Sequence, residues 1–283
     1  MRHYLSHKVS SRLIFIVVVT LGLPIHCFAH DTWLMPRHTV SAGDTGLPNA
    51  MVLLPGTGDF FPRPDFLTPK DRIETIQCAQ VNQPVAHDLQ HNPVLGFQIA
   101  IDPEPMTNPR TQPSKVPTFC TIKLEREYIE LDLEKVAPYL DDIAANAKVR
   151  KAWAYMQSKG MIWKENYTKI ARVELGGTLS NQPSKQIGQH TEIVSALPEQ
   201  QLKRGKAAQF VLLHRGKPLA GHPVQWVGSA NGQRGWLKTN SKGMVSVPID
   251  ARGDWMLRGT VIKLAKDETF ESDFFTLVFA VSH

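Results

Sequence analysis

Cysteine is scarce in this 283-residue chain, with Cys27, Cys78 and Cys120 as the whole supply. None is spaced as CxxC, which removes the usual zinc-ribbon and dithiol redox motifs. HExxH, a glycine-rich phosphate loop and a GxSxG elbow are missing as well, so metalloprotease, nucleotide-binding and serine-hydrolase chemistry have no support. Beyond residue 29 no apolar run approaches the roughly 20 residues of a membrane-spanning helix. Internal repeats and low-complexity tracts are absent too.

Acidic residues are missing from the first 29 positions, which carry Arg2, Lys8 and Arg12, then the apolar block "LIFIVVVTLGL", then Cys27-Phe28-Ala29. Charged start, short apolar core and small residues at −3 and −1 make the pattern of an export signal cut after Ala29. Residues 1–29 are therefore read as a signal peptide, and the mature protein is expected in the periplasm with no membrane span. Cleavage removes three of the 32 Lys+Arg, which stand against 26 Asp+Glu. The mild positive charge that remains gives no indication of nucleic-acid binding. Cys78 and Cys120 survive cleavage, both in strand-like runs. An even count in an oxidising compartment favours a disulfide between them, with two buried free thiols as the alternative.

From residue 30 to 124 the pattern is short β-type runs, "TWLMP", "MVLL", "RIETIQC", "VLGFQIAI" and "TFCTIKL", broken by Pro- and Gly-rich turns. The period then changes. Val136, Tyr139, Leu140 and Ile143 recur at helical spacing behind Asp132 as N-cap. Val149, Ala152, Trp153 and Met156 mark a second helix that stops near Gly160, and Trp163, Tyr167, Ile170 and Ala171 mark a third. After residue 186 strands resume through "FTLVFAV", where Phe275, Leu277, Phe279 and Val281 share one face. The expectation is a mainly β protein: two antiparallel β-sandwich domains, Ig-like or prealbumin-like, over 30–185 and 186–283, with a helical insertion at 132–172.

Three blocks carry a resemblance: "AHDTWL", "YIELDLEKVAPYLDDI…ENYTKIARVELGG" and "GKPLAGHPVQWVG…KTNSKGMVSVPIDARGDWMLRG…FESDFFTLVF". Their succession resembles a bacterial family of secreted domains of unknown function labelled as a periplasmic component of cobalt/nickel uptake, NikM-like. The last block is also similar to carboxypeptidase-regulatory-like and carbohydrate-binding-like domains. The resemblance implies the β fold, and by its label a metal-handling role beside an inner-membrane metal transporter. Two positions depart from the family's pattern: "LLPGTGDFF" and "WMLRGTVIK" each have no histidine where many relatives carry one.

The most pointed chemistry lies at His30. A cut after Ala29 places a free amine and an imidazole on one residue, a chelate for a transition metal. The amine's reference pKa is near 8, so part of it is deprotonated at neutral pH. A second imidazole would complete a three-nitrogen site suited to copper, whereas nickel or cobalt would use the same nitrogens with a carboxylate such as Asp31. His38, His87, His91, His190, His214, His222 and His283 are the further histidines on offer. His87 and His91 share a face if "AHDLQH" is helical and are solvated loop residues if it is not. His214 and His222 flank the turn "RGKPLAG" and read as surface histidines of a hairpin. Asp141/Asp142 and Glu271/Asp273 read as solvated faces or hairpin ends. Trp226, Trp236 and Trp255 form either core or a sugar-stacking platform. The expected function is a non-enzymatic, periplasmic binding protein for nickel, cobalt or copper, with His30, Asp31, His87 and His91 as ligand candidates. The alternative is an envelope interaction or carbohydrate-binding module.

Overall fold

The computed structural model describes residues 30–37, 51–79, 85–88, 97–101, 118–175, 186–196, 204–230 and 232–281. The expected export signal, His38, His91 and His283 lie outside them. The strands of the N-terminal half are β1 (Asp31–Arg37), β2 (Met51–Gly58), β3 (Phe66–Leu67), β4 (Ile73–Cys78), β5 (Val85–Asp88) and β6 (Phe97–Ile101). They continue with β7 (Phe119–Leu124), β8 (Glu127–Leu131) and β9 (Trp163–Glu174). Two helices, α1 (Leu133–Asp142) and α2 (Ala147–Ser158), lie between β8 and β9. The C-terminal half holds β10 (Thr191–Ser195), β11 (Ala207–His214), β12 (Lys217–Pro218), β13 (Pro223–Gly228) and β14 (Arg234–Lys238). It closes with β15 (Met244–Pro248), β16 (Gly253–Leu264) and β17 (Phe270–Val281).

These strands form three open sheets. The largest runs β14-β13-β16-β17-β9-β7-β4, with β8 also on β9. A second runs β1-β2-β6-β5 with β3 on β2, and a third joins β10, β11, β12 and β15. The pairs are antiparallel except β9 with β17, which run parallel from Glu165 opposite Phe270 to Val173 opposite Val278. The expected domain boundary at residue 185 is thus crossed by one continuous sheet. Purely antiparallel pairing was expected, but a parallel pair needs only a long crossover between its strands, and the chain from 175 to 269 supplies one.

The alternation of β17 distributes the core. Phe275, Leu277, Phe279 and Val281 fall on one face, as their period predicts, and pack with Ile193, Phe210 and Val245 of the third sheet. On the opposite face Val278 joins Trp33, Leu34, Cys120 and Val173, while Phe270 and Phe274 join the helices. The helical stripes also behave as their spacing predicts: Val136, Tyr139, Leu140, Ile143, Val149, Trp153 and Met156 are all buried in one cluster. Asp132 does sit at the N-cap, but its side chain caps no backbone N–H and pairs with Lys135 instead. Cys78 and Cys120 face each other in the β4·β7 register and are disulfide-bonded.

The third expected helix is a strand. Trp163, Tyr167, Ile170 and Ala171 lie on β9, so the helical part of the 132–172 segment ends at Ser158. The spacing misleads because polar residues of β9 are buried as thoroughly as its apolar ones. Glu165 accepts hydrogen bonds from Tyr139 Oη (2.7 Å), Trp163 Nε1 (2.9 Å) and Ser272 Oγ. Arg172 donates to Glu174 at 2.9 Å and faces Glu192 of β10 at 4.0 Å. Buried polar groups persist only when partnered in this way. No helix among the described residues is long and apolar enough to cross a membrane.

Candidate functional site

β1 is placed by its side chains. Trp33 and Leu34 are fully buried, and Thr276 Oγ1 donates to the Thr32 carbonyl at 2.6 Å. The antiparallel register with β2 sets Asp31 against Gly58 and Thr32 against Thr57. One step further along the same ladder, His30 faces Asp59. The chain then turns at Phe60–Arg63 (Arg63 N to Phe60 O, 2.7 Å) and returns, with Asp65 N donating to Thr57 O at 2.9 Å. This hairpin return brings a second carboxylate to the same place. A Cβ at Gly58 would lie 2.7 Å from the Asp65 amide nitrogen and 2.8 Å from its Oδ2, so only glycine permits the approach.

The result is a compact donor set. His30 Nε2 lies 3.6 Å from Asp59 Oδ1 and 4.0 Å from Asp65 Oδ2. The three ligand atoms are within 4.8 Å of one another. Asp65 Oδ2 also accepts the Asp59 N–H at 3.1 Å. Asp59 Oδ1, in contrast, is buried and accepts no hydrogen bond among the described residues. Burial pushes the Asp59 carboxyl up, and Asp65 and Asp142 add to this against the pull of His30. An orphaned carboxylate oxygen beside an imidazole is the arrangement a divalent cation would satisfy. The imidazole is half-exposed, with Phe66 edge-on at 6.1 Å, so the set opens to solvent beside exposed Phe60 and Phe66.

Asp31 does not join it. Consecutive strand residues point to opposite faces, and the Asp31 carboxylate accepts from Arg258 Nη1 at 2.5 Å. The same guanidinium donates to Asp142 Oδ1 at 2.7 Å and Gln225 Oε1 at 2.5 Å. Asp142, expected on a solvated face, is thus a partly buried partner that ties α1 to β1 through β16. His87 is not brought to His30 either. Its strand β5 lies three places from β1 in the sheet, about 14 Å at ordinary strand spacing, with His87 opposite Gln98. That strand also removes the helical geometry that would have paired it with His91, which lies outside the described residues.

The three tryptophans do not share a platform. Trp255 is buried, Trp226 packs on it at 5.5 Å, and Trp236, on the neighbouring strand, is exposed alone. His214 and His222 part company as well. His214 meets His190 and Asp273, whereas His222 is largely buried, which pushes its imidazole down to about 4. Sequence reading missed Asp59 and Asp65, which sit in a Pro/Gly-rich turn. The available signal was that consecutive strands usually pair, and pairing "TWLMP" with "MVLLPGTG" sets His30 near Asp59.

Residues 135–262 match the model of a family described as a domain of unknown function (DUF4198). The match runs from α1 into β16, so it includes Asp142 and Arg258 but not His30, Asp59 or Asp65. No curated protein matches the chain.

Proposed function

We propose that the protein is an exported, periplasmic binding protein for a first-row divalent transition metal, nickel or cobalt before copper, with His30, Asp59 and Asp65 as ligands. Cleavage after Ala29 would free the His30 α-amine, which shares an ion with Nδ1 of its own ring and not with Nε2, so it becomes a fourth donor once the imidazole turns Nδ1 toward the two carboxylates. The observation that carries the reading is the Asp59 Oδ1 atom, buried, without a hydrogen bond, and 3.6 Å from His30 Nε2. One imidazole, two carboxylates and an amine form a mixed nitrogen–oxygen set, which suits nickel and cobalt. Copper's three-nitrogen arrangement asks for a second imidazole, and none stands beside His30 among the described residues. The bound ion would neutralise two neighbouring carboxylates on a solvent-open rim, the placement expected of a protein that captures an ion and passes it to a membrane transporter. In this reading the sheets act as two β-sandwiches built on the shared large sheet, a stiff frame for the ligands.

Mass spectrometry of the exported protein, with calorimetric titration of nickel, cobalt and copper salts, tests the proposal. The mature form is expected to start at His30 and bind one equivalent. Asp59→Asn and His30→Ala should each weaken binding about tenfold or more, since each removes a ligand. Unaltered affinity in both variants would overturn the assignment. Equal affinity in a form carrying one extra N-terminal residue would remove the amine from the ligand set.

A further inference from the structure

A second constellation lies across the large sheet from His30. A cavity of about 340 Å³ is lined by residues of β7, β9, β16 and β17 and by the β11–β12 hairpin. Its cations are Lys123, Arg126, Arg215 and Lys263, and its carboxylates are Glu271 and Asp273. Lys123 is paired with Glu74 at 2.6 Å, and Arg126 with Glu271. Asp273 accepts from His190 Nδ1 and, at 2.6 Å, from Thr191 Oγ1. Arg215 and Lys263 are left without a carboxylate partner among the described residues.

His190, His214 and Asp273 have the spacing of metal ligands, but their protons are wrong for a metal. Arg215 Nε donates to His190 Nε2 at 2.8 Å, so that nitrogen carries no hydrogen and Nδ1 carries the one given to Asp273. Thr191 gives its hydroxyl hydrogen to Asp273 and so accepts from His214 Nδ1, 2.9 Å away. His190 is bonded to Asp273 directly and His214 only through Thr191, so the three do not form an open cage, and an entering cation would face Arg215 and Lys263. The electrostatics favour the opposite charge.

Arg215 itself sits in an unusual place. It and Gly216 are the two loop residues of the β11–β12 hairpin, with φ of +53° and +71°. A hairpin loop with both residues at positive φ ordinarily takes Asn-Gly or Gly-Gly. An arginine there, anchored by its N–H to the His190 carbonyl at 2.7 Å, is held in a conformation its Cβ disfavours. Such outliers concentrate where the side chain is needed.

We infer that this cavity is a binding site, separate from the His30 site, for a small organic or inorganic oxyanion, a carboxylate or a phosphate, held by the Arg215 guanidinium and the Lys263 ammonium. Its volume is at the small end of ligand pockets, which suits an acid of a few carbons or a phosphate monoester. Arg126 and Lys123, already paired, add to the positive field, and the His190–Asp273–Thr191–His214 chain fixes the wall that carries Arg215.

Calorimetry on the mature protein with inorganic phosphate and, separately, succinate tests the inference and tells the two chemistries apart. One or both should bind with micromolar to millimolar affinity, weakening as salt rises. Arg215→Asn and Lys263→Met should each lower that affinity roughly tenfold. Arg215→Asn should at the same time hold or raise the melting temperature, since asparagine suits positive φ, so loss of binding is not loss of fold. His30→Ala should leave oxyanion binding unchanged, which keeps this result independent of the metal proposal. Binding of neither probe at about 10 mM, or equal binding by both variants, overturns the inference. So does a nickel site lost in His190→Ala and His214→Ala, which would make the cavity a cation site.

Discussion

Replacing Arg258 with methionine should destabilise the protein in a way that depends on pH, and the dependence is the diagnostic part. The Arg258 guanidinium joins residues 227 and 116 positions away, Asp31 and Asp142, at 2.5 and 2.7 Å. The side chains of both acids are about one-tenth exposed, at 9% and 11%. Burial lowers the pull of the guanidinium on its own proton, yet Asp31 and Asp142 more than offset this and hold Arg258 above its ordinary range. Methionine fills much of the same volume but leaves Asp31, which is buried, and Asp142, which is partly buried, without the guanidinium that pairs them, and Lys169 acts on Asp31 only from a distance. Breaking one partner of a buried ion pair costs about 3–5 kcal/mol. Burial already holds the Asp31 carboxyl above its ordinary 3.8, and without Arg258 it rises further. A carboxyl raised in the folded state contributes stability that is fully present below its unfolded value and lost as pH rises through its folded value. The deficit of Arg258→Met should therefore be widest at neutral pH and close as pH falls toward 4. Urea unfolding at a series of pH values measures it, and Asp31→Asn in the methionine background should recover part of the loss at pH 7. A deficit that stays constant across that range, or one under about 1 kcal/mol at pH 7, would refute the reasoning.

Reducing the Cys78–Cys120 bond, which closes a separation of 42 residues, should lower stability by about 4 kcal/mol on the chain-entropy account. Denaturant melts with and without reductant check this, and coincident curves would refute it. Glu165→Gln should cost about 1–3 kcal/mol, because its amide must set an N–H against the Trp163 N–H that Oε2 now accepts. Burial raises the Glu165 carboxyl above 4.5, so wild type should gain on the glutamine variant as pH falls toward that value. Paired thermal melts at pH 7 and pH 5 measure the change, and a gap that narrows on acidification would contradict the sign.

How much of this was legible in the sequence depends on whether partners are local. The strand runs from "TWLMP" to "FTLVFAV" and the helices through Val136 and Val149 were legible, because their apolar period is set by residues a few positions apart. Tyr167 and Ile170 have helical spacing in the sequence because β9 hides its alternation behind Glu165 and Arg172. The groups that make those burials tolerable, Tyr139, Ser272 and Glu192, lie 20 to 107 residues away. The parallel β9·β17 pair was invisible for the same reason. At the site, His30 is legible as the residue after a cleavage pattern, but sequence adjacency alone points to Asp31 as its carboxylate. A strand turns adjacent residues apart, and the nearer carboxylates came from the partner strand's turn.

Both candidate sites are carried by the β9·β17 pair from opposite faces. On one face Lys169 Nζ donates to the His30 carbonyl at 2.7 Å and Thr276 holds Thr32, fixing a residue that would be the chain's first. First residues ordinarily fray. Here the carbonyls of His30 and Thr32 are tied down and Asp31 is locked to Arg258, so little freedom remains to be lost when a ligand binds. On the other face Asn166 and Thr168 of β9 and Asp273 of β17 line the oxyanion cavity. Changes to the frame, such as Arg258→Met, therefore reach the His30 site through β1, whereas Asp59→Asn or Arg215→Asn changes one ligand group and leaves the strand pair intact. The parallel pairing is the shared structural element, and the two chemistries are separable only through the side chains that project from it.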